Sequence, residues 1–146
     1  MREFSSYNEM HAAHLKDINE FPMIFLFGKH TDVELKVELA RIGAKSIKEC
    51  CSVFGAGDII NRKDKAKLLE LLNQQHKERE HFAESENNMV QMILSEMNNH
   101  EYSYTRDPYD TLIALGRSME DFDTDEKFSR AWAKAQITCF GSDCFD

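Results

Sequence analysis

Apolar residues recur along this chain mostly at helical spacing. Tyr7, Met10, His14, Ile18 and Phe21 form one stripe, opened by Ser6 with Glu9 three residues later. That capping-box spacing and stripe predict a first helix over 6–20. "FPMIFLFG" is a continuous apolar run between proline and glycine, which reads as a strand covered on both faces. "TDVELKVELARIG" carries two patterns. Val33, Leu35, Val37 and Leu39 alternate with charges as in a strand, yet Thr31 and Glu34 form a capping box and Gly43 closes the segment. We read a helix there, apolar on two opposite faces and sandwiched between layers, followed by a short helix over 46–52 that Ser46 and Glu49 cap.

From Asp64 to Asn99 there is no glycine or proline, and apolar ends flank the polar waist "NQQHKEREHFAESENN". One long helix over about 64–99 is expected, with two helices broken near Ser85 as the alternative; an exposed polar waist on one helix favours homodimerisation. "HEYSYT" alternates, Tyr102 and Tyr104 on one face, and predicts a short strand. Asp107 before Pro108 starts a helix through "PYDTLIALG" that Gly116 ends. Ser118 with Asp121 caps a further start, and a last helix over 124–137 buries Phe128, Ala131, Trp132 and Ala135. The sum is one α+β domain over 1–146, mostly helical, with about three short strands.

The stretch "VFGAGDII" resembles a phosphate loop. A dinucleotide fingerprint needs a third glycine where Ile60 stands, and a P-loop needs glycine-lysine followed by a hydroxyl residue, which this chain lacks. Gly55 and Gly57 therefore supply backbone angles for a turn.

Charge changes the picture more than composition does. The net charge is −8. Residues 82–146 hold thirteen acids against five bases, whereas 61–81 hold six bases against four acids. Overall acidity opposes direct nucleic-acid binding, which needs cations to displace counterions. Asp121, Asp123 and Asp125 instead suit a protein partner, with the basic surface of a nucleic-acid-binding protein as one form. No apolar window is long enough to cross a membrane, and "MREFSSYNEMHAAH" has no leader pattern, so a cytoplasmic location is expected. Adjacent Cys50 and Cys51 read as reduced thiols, whereas the Cys139/Cys144 pair, around a Gly-Ser-Asp turn, fits a small redox loop or half a zinc site, without a CxxC to accompany it.

Candidate chemistry is sparse. His11 and His14 share a helical face without a third ligand, so packing explains them better than metal. No nucleophile elbow or calcium loop occurs, and no cofactor is expected. "NRKD" and "NHEYSYTRD" each follow or form a predicted strand. Were those strands to pair, Arg62, Lys63, His100, Glu101, Thr105 and Arg106 would meet at a sheet edge as a binding cluster.

The ordered set "NEFPM", "GAG" with Ile60 and "RKD", "NHEY" and "DTLIALG" resembles short proteins of bacteria, phages and other mobile elements. That resemblance covers roughly residues 8–135, supports a helix at "VELKVEL", and carries no established activity. Asp58 departs from its pattern, where a further glycine is preferred. The expected function is therefore non-enzymatic: an acidic interaction protein, in one form phage-encoded and directed against a host defence nuclease. A metal-dependent or acid-base enzyme built on His100, Glu101, His11 and His14, and a structural homo-oligomer, are the alternatives.

Overall fold

The computed structural model describes residues 1–141. Its elements are α1 (Tyr7–Glu20), β1 (Ile24–Phe25), α2 (Asp32–Arg41), β2 (Cys50–Cys51), β3 (Asp58–Asn61), α3 (Lys65–Phe82), α4 (Glu86–Asn99), α5 (Tyr102–Thr105), α6 (Tyr109–Ala114), α7 (Asp121–Thr124) and α8 (Glu126–Phe140). The fold is α+β and mostly helical, with a three-stranded antiparallel sheet in the order β1-β3-β2. The chain divides into two compact units, residues 12–76, and residues 1–11 with 77 onward; the division runs through α1 and α3.

In the unit of residues 12–76, Ile24 lies opposite Ile59 and Phe25 opposite Asp58, while Cys50 and Cys51 face Asn61 and Ile60. The capping box decides the ambiguous segment in favour of α2. Thr31 Oγ1 accepts from the Glu34 amide, and the Glu34 carboxylate accepts from the Thr31 amide. Both bonds satisfy donors that a helix start otherwise leaves open. Leu35 and Leu39 then pack on Ile24, Leu26, Ile42 and Cys50. The opposite apolar face is not sandwiched: Val33 and Val37 are exposed.

Two expectations need correction here. "FPMIFLFG" is covered on one face only and contributes a two-residue strand. An antiparallel edge strand needs a single covered face, so Ile24 is buried while Phe25 and Phe27 stand in solvent. The predicted helix over 46–52 is a 3₁₀ turn, Ile47–Glu49, running into β2. Ser46 makes no side-chain cap there, and Glu49 accepts from the Lys45 amide instead.

In the other unit, α4 packs on α8. Met89, Ile93 and Met97 meet Phe128, Ala131, Trp132 and Ala135, with Tyr102 and Leu112 completing the core. This α8 stripe is the one its periodicity predicts. Trp132 receives Tyr102 and Phe122 edge-on, at 5.5 and 5.1 Å between centroids, an arrangement aromatic quadrupoles favour. A second cluster joins Tyr7, Met10, Phe82 and Met92.

The long helix over 64–99 is two helices. It breaks between Phe82 and Glu86, where Ser85 Oγ accepts from the Asn88 amide and starts α4. A serine cap suffices to restart a helix without glycine or proline. "HEYSYT" is not a strand either, since residues 102–105 form the helical turn α5. Tyr102 is buried and Tyr104 exposed, so the two rings do not share a face.

Candidate interaction surfaces

The "VFGAGD" turn closes on its own acid. The fully buried Asp58 carboxylate accepts from the Val53 and Phe54 amides at 2.8 and 3.0 Å through Oδ2. Through Oδ1 it accepts from the Ser52 hydroxyl at 2.8 Å and the Ala56 amide at 3.1 Å. The amides that would cradle a phosphate thus already hold an anion. Burial pushes the Asp58 carboxyl up, but these amide and hydroxyl donors outweigh it and hold the group well below the usual carboxylate range.

Gly57 has a second task in this turn. Its φ is 81°, and a Cβ there would stand 2.7 Å from the Phe27 ring. The glycine therefore seats Phe27, which stacks on Phe25 at 6.2 Å with an interplanar angle of 8°. Phe25 is 53% exposed, Phe27 69% and Phe54 46%. Composition did not mark these rings as functional; the signal was phenylalanine at i and i+2 in the apolar run, ahead of two glycine turns.

Charge divides with the compact units. Residues 12–76 carry ten bases and nine acids, whereas the rest of the chain carries eight bases and seventeen acids. In the acidic unit, α5 lies between two non-glycine residues with left-handed backbone, Glu101 (φ 54°) and Arg106 (φ 57°). Such conformations are uncommon and persist where surrounding structure imposes them. Here Tyr102 anchors the turn by stacking on Phe140 at 5.4 Å, and the Arg106 guanidinium sits 3.8 Å above the same ring. Tyr104 projects, 86% exposed.

Beside this turn, His100 Nε2 lies 3.4 Å from Glu96 Oε2. The buried Glu96 also accepts the Tyr7 hydroxyl through Oε1 at 2.5 Å. Burial, reinforced by that bond to Glu96, raises the Tyr7 phenol well above its ordinary value. Tyr7 and Glu96 escaped sequence reasoning because they are 89 residues apart.

The predicted sheet-edge cluster is not assembled by strand pairing. β3 pairs with β1 and β2, and residues 102–105 are helical. Arg62 Nε donates to the Cys50 carbonyl at 3.0 Å, and the Lys63 amide to Asn61 Oδ1 at 3.1 Å, within one unit. His100, Glu101, Thr105 and Arg106 belong to the other, where Thr105 Oγ1 accepts from the Asp107 amide.

The three aspartates differ in what they do. Asp121 accepts from the Ser118 amide at 3.0 Å. Asp125 caps α8 through the Phe128 amide and pairs with Arg117, each at 3.0 Å. The Phe128 amide, opposed by burial and helped by Arg117, holds the Asp125 carboxyl below its ordinary value. Asp123 is exposed.

Elsewhere, His14 is buried and His11 exposed with its ring 5.9 Å from Tyr7. Among the described residues no three His, Cys, Asp or Glu side chains are grouped to hold a metal ion. Cys50 and Cys51 are free thiols, the Cys139 thiol faces Asn98 Oδ1, and Cys144 lies outside the described residues. A small hollow of about 80 Å³ beside Arg2, His81 and Asn88 includes the buried Glu78, whose carboxylate takes the Arg2 amide and guanidinium at 2.9–3.1 Å. No helix among the described residues is long and apolar enough to cross a membrane.

The sequence model of one family, described as a family of unknown function, DUF7659, matches residues 6–138. No curated protein and no solved structure matches the chain. Matched over nearly its whole length, the chain belongs to the DUF7659 family.

Proposed function

We propose that this chain is a non-enzymatic interaction protein whose acidic unit engages a basic protein surface. The observation that carries the reading is the α5 turn, held in strained backbone at both ends and displaying Tyr104 beside Arg106. Tyrosine and arginine on a rigid, pre-organised support are the residue types that dominate protein interfaces. The excess of nine acids in the same unit favours a cationic partner and fast, salt-sensitive association. The resemblance of the ordered motifs to those of mobile-element proteins supports one form of this reading. In it the chain is phage-borne and offers carboxylates to a host defence nuclease where nucleic-acid phosphates would lie.

Affinity capture from a lysate of the native host, at about 50 mM and about 500 mM salt, tests this reading. A basic protein retained only at low salt is expected. Glu120→Lys with Asp123→Lys should release it, because both side chains are exposed and neither bonds a helix cap. Capture that is insensitive to both salt and these substitutions would refute the reading.

One observation favours a second reading, an acid-base enzyme. The Tyr7–Glu96–His100 chain links a phenol, a buried carboxylate and a half-exposed imidazole, the groups that move protons in general acid-base catalysis. His100→Gln would abolish such an activity and leave partner capture intact.

A further inference from the structure

We infer that the β1 edge of the sheet in residues 12–76 is a binding platform for single-stranded nucleic acid. Phe25 and Phe27 stand parallel and exposed at the end of the edge strand β1 and just beyond it, a geometry that offers π-faces to successive bases. Gly57 fixes the Phe27 ring, and the Asp58 turn fixes Gly57, so the platform is formed before any ligand arrives.

Charge supports the same occupant. The net acidity that argues against nucleic acid for the whole chain lies outside this unit. Four of its nine acids are engaged within it: Glu34 in the α2 cap, Glu38 with Arg41, Glu49 on the Lys45 amide and Asp58 inside its turn. Among the described residues Lys29, Lys36, Lys48 and Lys63 form no ion pair. Lys29 follows Phe27 by two residues, and Arg62 is fastened to the outer strand β2 through the Cys50 carbonyl.

A second copy fits this face less well. The exposed parts of Phe25 and Phe27 amount to about 250 Å² together, against roughly 800 Å² per partner in a stable protein interface.

Fluorescence anisotropy with a labelled oligothymidine of about 12 nucleotides, and with a duplex of equal length, tests the inference. Single-strand binding is expected, with log K falling by about 0.7 per phosphate contacted for each unit of log salt. Phe25→Ala and Phe27→Ala should each weaken it by about 5- to 150-fold. Phe27→Tyr should retain it within about threefold. Gly57→Ala should weaken it by displacing the ring. Because both rings are exposed, circular dichroism should show the alanine variants folded. Absent binding at about 100 µM protein and about 50 mM salt, or binding indifferent to the phenylalanines, would overturn the inference. So would a mass in light scattering that doubles and returns to monomer in Phe27→Ala, which would assign the face to a second copy.

Discussion

Replacing Asp58 by asparagine should destabilise the chain by about 2–4 kcal/mol, because one side chain holds the turn between β2 and β3. Its carboxylate accepts four bonds, from the Ser52 hydroxyl and the Val53, Phe54 and Ala56 amides. Asparagine keeps one acceptor oxygen and turns an NH₂ group toward donors, so about two of the four bonds are lost. Bonds to a charged acceptor contribute about 1.5–3 kcal/mol each, and bonds sharing one acceptor add incompletely. Urea denaturation followed by circular dichroism at pH 7 measures the loss.

The same experiment has a pH signature. The folded carboxyl lies below its ordinary value, so its contribution is full above the unfolded value of about 3.9 and declines as pH falls toward the folded value. The gap between the natural chain and Asp58→Asn should therefore narrow below about pH 4. A cost under about 1 kcal/mol, or a gap unchanged from pH 7 to pH 3, would refute the reasoning.

Three further substitutions probe other parts of the fold. Thr111 is fully buried and its hydroxyl has no hydrogen-bond partner among the described residues. Thr111→Val should therefore stabilise by about 1 kcal/mol, read as a higher urea midpoint with unchanged slope. Glu101→Gly should stabilise by about 0.5–1 kcal/mol, since relief of left-handed strain exceeds the entropy glycine adds to the unfolded chain; a lower melting temperature would contradict this. Tyr7→Phe removes a donor from buried Glu96 and should cost about 1.5–3 kcal/mol at pH 7. Because the folded Tyr7 phenol is raised, its stabilisation is intact below pH 10 and lost as pH climbs toward the folded value. The natural chain should show that alkaline loss in urea titrations, and the variant should lack it.

Elements whose signals agreed were legible in the sequence. α8 carried apolar residues at i, i+3, i+4 and i+7, and its buried face is the predicted one. α2 was ambiguous until its capping box was weighed above its alternation. The misread segments were short. "HEYSYT" alternates over four residues, too few to separate period 2 from a single helical turn, and the left-handed backbone of Glu101 and Arg106 has no residue signature. The Ser85 break lacked glycine or proline, so only its cap distinguished two helices from one.

The interaction surfaces were less legible because long-range assembly builds them. Residues 1–11 join 77 onward in one unit, so counting charge by consecutive segments blurred an acidic unit against a nearly neutral one. The turn itself was read correctly as structural, yet its acid was not. Nothing local shows that Asp58 folds back onto four donors, or that Gly57 lies under Phe27.

The central claim, that the acidic unit docks a protein through α5, is tested most directly by photo-crosslinking in the native host. A benzoylphenylalanine would replace Tyr104, with a control at exposed Gln91 on α4. The account predicts one adduct with a basic protein from position 104 and none from position 91. No adduct at 104, or the same adducts from both positions, would contradict it.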